Sequence, residues 1–333
     1  MTDAQIAAIG AYTPRLRIVA EEFEDAWGSF NAAGVKQKAV PEADEDALTM
    51  GVEAAERALD VAGYSGADVC HLAFATTSPP MAEEDLSARL ANVLGVPDGV
   101  TTRTMTGSTR VGAQALNGAL DAGPWGEKIG LVIISDCPKG APDSDVEHAA
   151  GAGSAALVVD GNGPGKVLDR TSHVDTYPGT RFRTGGDDKT TGLGVTQYDR
   201  EAFITTLGGA VDTLDDSLED VDAAAVQSPD GKLPYRATAA LGIDAETIAA
   251  AETVSSLGDT GAASVFIGAA TAFTQDTERP LVAAYGSGAG ANAILLEGPV
   301  PVESALDGKT ELSYAEYLRR RGEITSDEPE GGG

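Results

Sequence analysis

Apolar residues along this chain come in short unbroken runs rather than in strict alternation. "LAFA" (72–75), "IGLVII" (129–134), "AALVV" (155–159), "AAAV" (223–226), "LVAAY" (281–285) and "AILL" (293–296) are of strand length and are bounded by small polar residues, Gly or Pro. Such runs predict strands of sheets covered by helices on both faces. Between them lie stretches rich in Ala and Gly, "RVGAQALNGAL" and "AASVFIGAATAF", which predict helices suited to close packing between two layers.

The order of these elements repeats once. "ADVCHLAFATTSPP" near residue 70 has the shape of "VDAAAVQSPDGKLP" near residue 222: an apolar run closing on small polar residues and Pro. Each is followed by a helical stretch ending in Leu-Gly, so that Arg89 and Gly95 stand 147 residues before Arg236 and Gly242. A polar turn, a small-residue helix and a second strand follow in both, and each half closes on Gly-Ala-Gly and a strand, "GAGSAALVVD" (151–160) beside "GAGANAILLE" (288–297). Repetition at this spacing predicts a duplicated α/β fold: two similar halves, with helices sandwiched between two mixed sheets. We place the first half at 1–165 and the second at 166–322. Residues 161–200, rich in Gly and Thr, read as a long irregular connection, a lid or partner contact by its length. Residues 323–333 read as a disordered acidic, Gly-rich tail.

Composition narrows the function. Of 333 residues, 52 are acidic and 23 basic, a formal net charge of −29. That excludes a nucleic-acid binder built on clustered Lys and Arg and opposes docking on anionic lipid. The acidic excess is spread along the chain and only 8 of the 23 basic residues are Lys. An acidic, Lys-poor surface over an ordinary core reads as adaptation to high salt, a matter of habitat rather than function. Cys70 and Cys137 are too few for a disulfide framework, and no Cys/His cluster has metal-ligand spacing. Neither a leader segment nor 18 consecutive apolar residues is found, so the expected location is cytoplasmic.

Several segments, in order, then carry a resemblance. "IGAYTPRLRI", "KAVPEADEDALTMGVEAAERAL", "SDCPKGAPDSDVEHAAGAGSAALVV", "DGKLP", "LGDTGAAS", "YGSGAGANA" and "YAEYLRRRGEI" resemble the archaeal-type hydroxymethylglutaryl-CoA synthases of the thiolase superfamily, a ketoacyl synthase III-like group, from about Ile9 to Ile324. The resemblance implies the thiolase-like layered fold and acyl transfer from acyl-CoA. It implies a Cys thiolate nucleophile, a Glu base, and a His with an Asn that stabilise developing charge. It also implies a homodimer, paired along the apolar strand before Gly107, and assembly with a thiolase and a small zinc-ribbon OB-fold protein. No cofactor is expected; acyl-CoA is the expected ligand.

The chain departs from that pattern at each chemical position. In "TGSTRVGA" the family's Cys falls on Thr109, or on Ser108 if the register moves by one. The His falls on Gln227, the Glu on Thr77 and the Asn on Asp259, each anchored by neighbours such as Ser78, Pro79, Pro229 and Thr260. Between residues 71 and 136 there is no Cys at all, which ordinary synthase chemistry does not survive. Ser108, Lys232, Gly286 and Ser287 are the substrate-binding candidates, Lys232 toward the CoA phosphates. Each has a plainer reading beside it: Thr109 as a helix cap, Gln227 as a loop residue, Asp259 as a turn former, Lys232 as a solvated side chain. Cys70 reads as core, Cys137 as a buried or dimer-facing thiol, and His71, His148 and His173 as structural. The expectation is a non-condensing homologue that binds acyl-CoA or serves as a subunit of an acyltransferase complex. The alternative is an active acyltransferase working through altered residues.

Overall fold

The structure is a computed structural model and describes residues 4–123, 125–308 and 310–324. The tail expected over 323–333 lies outside the described residues apart from its first two. The strands are β1 (Gln5–Tyr12), β2 (Leu16–Val19), β3 (Gln37–Val40), β4 (Val69–Ala75), β5 (Thr101–Met105), β6 (Ile129–Asp136), β7 (Gly153–Asp160), β8 (Lys166–Tyr177), β9 (Ala223–Val226), β10 (Pro280–Gly286), β11 (Gly288–Glu297), β12 (Val302–Ala305) and β13 (Thr310–Glu311).

They form sheets of order β12-β1-β7-β6-β4-β5, β8-β11-β10-β9 and β13-β2-β3. The duplication is visible in the pairing. In the first sheet β1–β7 and β7–β6 are antiparallel and β6–β4 is parallel. In the second, β8–β11 and β11–β10 are antiparallel and β10–β9 is parallel. Strands β6, β7 and β10 are buried along their whole length, as unbroken apolar runs require. β12, from the end of the chain, pairs parallel with β1 and so ties the second half onto the sheet of the first.

Two helices fill the space between the sheets. Val111–Ala122 packs on β4, β6 and β7 of one sheet and β11 of the other; Ser264–Phe273 packs on β9 and β10 and on β1 and β7. Their small side chains allow this. A Cβ on Gly112 would press on Ile134 and Phe266, and one on Gly268 on Ala225 and the carbonyl of Ala251. Ala47–Ala62 covers the outer face of the first sheet and Thr196–Val211 that of the second. Three apolar clusters follow: one between the sheets and one under each outer helix. Among the described residues no helix is long and apolar enough to cross a membrane.

Two expectations need correction. The stretch 161–200 is not irregular throughout, because Lys166–Tyr177 is an edge strand and Thr196 opens a helix, leaving 178–195 as the connection. β8 carries mostly polar residues because one of its sides faces solvent, so it shows no apolar run. The strand before Gly107, β5, lies at a sheet edge, but its residues Thr101, Thr102, Arg103, Thr104 and Met105 are largely polar rather than apolar.

Candidate functional site

The ends of β9 and β10, the start of the helix Val111–Ala122 and the connection 178–195 surround a cavity of about 590 Å³. Its lining includes Thr109, Gln227, Lys232, Asp259 and Ser287, drawn from both halves of the sequence. Arg181, from the connection, and Tyr285, from β10, complete its inner wall; neither stood out in the sequence. Ser108, Gly286 and Thr77 are not part of the lining.

Thr109 is buried, and its hydroxyl donates to the carbonyl of Tyr285 at 2.6 Å. It does not cap the helix, whose N-terminal flanking residue is Arg110. The β10–β11 hairpin approaches so closely here that a Cβ on Gly286 would collide with Ser108 Oγ, and one on Gly290 with the Arg110 guanidinium. "YGSGAGANA" therefore seats residues 108–110. Gly286 and Ser108 serve that packing, while Ser287 reaches the cavity wall.

Gln227 follows β9 and is 1% exposed. Its Nε2 donates to the carbonyl of Gly261 at 2.9 Å, and its Oε1 has no partner among the described residues. Asp259 is also buried. Its Oδ1 accepts from the backbone N–H of Gly261 at 2.9 Å, and its Oδ2 pairs with Arg181 Nη1. Main-chain bonds hold it in place: Gly151 N–H to the Asp259 carbonyl at 2.9 Å and Asp259 N–H to the Ala149 carbonyl at 2.7 Å. Arg181 Nη2 is buried and unpartnered among the described residues. Lys232 is exposed at the rim, its backbone N–H bonded to Asp230 Oδ1 at 2.6 Å. Arg200 and Arg236 are exposed on the same lining, and Lys189 pairs with Glu323 at 2.9 Å. Asp145, Asp199 and Asp230 share this lining, so the cavity carries charges of both signs.

Thr77 faces elsewhere. Its hydroxyl donates to Asp136 Oδ2 at 2.9 Å and its N–H to Oδ1 at 2.6 Å. Asp136 ends β6 fully buried and also accepts from Thr76 Oγ1 at 2.9 Å, Ser78 N–H at 3.0 Å, Ser78 Oγ at 2.9 Å and Ala262 N–H at 2.6 Å. This carboxylate joins the loop after β4 to the turn Gly261–Ala263 of the other half. The sequence signal was an acid closing an otherwise apolar run. Next to it, burial and then the Asp136 charge push the Cys137 thiol up to about 11, which disfavours the thiolate at neutral pH. Cys70 is half-buried against the core, and burial raises its thiol. Burial lowers both His71 and His148, seconded by Arg103 and Lys38 respectively; His71 meets the Trp125 ring edge-on and His148 stacks on Phe30.

No protein-family model matches the chain. The hydroxymethylglutaryl-CoA synthase of Pyrobaculum arsenaticum is 30% identical over 342 residues, covering 95% of this chain and 97% of that protein. Among solved structures, a hydroxymethylglutaryl-CoA synthase complexed with CoA superposes with a TM-score of 0.84 at 18% identity, over 95% of this chain and 90% of that one. The 3-oxoacyl-[acyl-carrier-protein] synthase III of Aquifex aeolicus superposes at 0.77 and 17% identity, over 89% and 100%. These neighbours share the thiolase-like duplicated fold seen in the strand pairing above. The end-to-end match in sequence goes further than fold: the chain belongs to the hydroxymethylglutaryl-CoA synthase family.

Proposed function

We propose that this member of the family binds acyl-CoA without condensing it, alone or as a subunit of an acyltransferase complex. The observation that carries the reading is how the four chemical positions are spent. Thr109 gives its proton to a main-chain carbonyl, Gln227 gives its amide to Gly261, Thr77 is turned to Asp136, and Asp259 is neutralised by Arg181. A hydroxyl needs an adjacent base to act as a nucleophile, and the acceptor beside Thr109 is a peptide carbonyl. A Gln holds or orients but does not move protons. The cavity itself remains, with Lys232, Arg200 and Arg236 exposed at its rim, where the phosphates of CoA would sit. The experiment is a thiol-release assay with acetyl-CoA and acetoacetyl-CoA in molar salt. Binding without CoA release is the expected result; steady release at an ordinary synthase rate would establish the active alternative.

The surroundings of this function are part of the same proposal. The protein works in the cytoplasm at high salt, as a homodimer paired along β5, in contact with a thiolase and a small zinc-ribbon OB-fold protein. The dispersed charge of −29 supports the high-salt setting and the edge position of β5 supports the pairing. Circular dichroism and light scattering across a salt series test them. A fold retained at about 10 mM salt, where a Debye length near 30 Å leaves acidic repulsion unscreened, would sink the halophilic reading. A monomer in molar salt would sink the dimer.

A further inference from the structure

The polarity of the cavity floor says more about the acyl group than the loss of catalytic residues does. The orientation of the Gln227 amide is forced, because its neighbour on one side is a carbonyl, Gly261 O, and only Nε2 can donate to it. That leaves Oε1, an acceptor with two lone pairs, buried and unpartnered in a residue that lines the cavity. Across the same lining, Arg181 binds Asp259 through Nη1 and keeps Nη2 buried and unpartnered. One unmet acceptor and one unmet donor thus belong to two residues of a single cavity lining, each atom buried just behind its surface. Leaving such groups dry is costly, and a ligand that satisfies them recovers that cost.

Resting on the acyl-CoA reading above, we infer that Gln227 makes this site select a hydroxyacyl thioester over the ketoacyl thioester of the same carbon chain. A ligand hydroxyl donates to Gln227 Oε1, and an acyl carbonyl oxygen accepts from Arg181 Nη2. A ketone in place of that hydroxyl sets its lone pairs against those of Oε1 and leaves both unpaired. The His that the family resemblance implies at this position can donate to a ketone oxygen; Gln227, with its donor already spent on Gly261, cannot. No bond is made or broken, and the claim concerns binding alone.

The test is calorimetric titration of the full chain in molar salt with 3-hydroxybutyryl-CoA, acetoacetyl-CoA and CoA. The two thioesters differ only in an alcohol or a ketone at one carbon. The hydroxy compound is expected to bind about tenfold tighter, the worth of one additional net hydrogen bond. Gln227→Met keeps the side-chain volume and removes the acceptor, and brings the two affinities within about twofold of each other. Arg181→Ala weakens both thioesters and leaves their ratio in place. Should Gln227→Met fail to fold, the comparison in the unmodified chain decides by itself. Equal affinities, or tighter acetoacetyl-CoA, overturn the inference while leaving acyl-CoA binding intact. Failure of both thioesters and of CoA to bind overturns the acyl-CoA reading, and the inference goes with it.

Discussion

The two halves of this protein end their matching strands differently, and each is a control for the other. β6 ends on Asp136, whose buried carboxylate takes six hydrogen bonds from Thr76, Thr77, Ser78 and Ala262. β10 ends on Tyr285 and Gly286, with no side-chain acid, and beside it the cavity opens. At the first end the acceptor is saturated by the chain itself. At the second, Gln227 Oε1 and Arg181 Nη2 are left over. A fully satisfied buried polar cluster holds the fold together, whereas atoms left unpaired retain capacity for a further hydrogen bond. The same duplicated scaffold thus saturates its buried acid at one strand end and leaves polar atoms unpaired at the other, although a smaller cavity of about 420 Å³, lined by Ser78 and Cys137, also lies beside the first end.

The sharpest way to break the comparison is Asp136→Ala. It orphans buried donors from both halves at once, and a loss of about 3 kcal/mol or more in chemical denaturation is expected. A loss within the noise would show that the cluster does not tie the halves together. Smaller in consequence is the thiol beside it. With Cys137 pushed up to about 11, its thiol is protonated at neutral pH, and alkylation gains speed only as pH rises toward that value. In a Cys70→Ser background, iodoacetamide at pH 8 should modify Cys137 about a hundredfold more slowly than a free thiol. Rapid alkylation there would reopen the case for it as a nucleophile. The smallest effect belongs to the open end. Thr109→Val removes one hydrogen bond to a carbonyl and should cost about 1 kcal/mol in the same denaturation assay. A cost near that of Asp136→Ala would erase the contrast between the ends.

How far the sequence showed this in advance depends on the reach of each signal. The doubled strand order was legible because covered strands are written as contiguous apolar runs, and β6, β7 and β10 obey that rule. β8 escaped because an edge strand with one wet side needs no such run. Thr109, Gln227 and Asp259 line one cavity, while Thr77 is turned to Asp136. What those residues touch was not legible. Thr109 and Tyr285 are 176 positions apart and Arg181 and Asp259 are 78 apart, distances that no local periodicity spans. The length of the connection points to function, yet nothing local singles out Arg181 within it. Asp136 was visible only as an acid ending an apolar strand.

The central claim is that the residue at the nucleophile position is a hydrogen-bond donor to the protein and nothing more. Intact-protein mass spectrometry after incubation with acetyl-CoA in molar salt, with an acid quench, tests it most directly. The account predicts the unmodified mass, with acetyl-CoA bound reversibly beforehand and released on quenching. An added acetyl group that maps to Thr109 or Ser108 would contradict it.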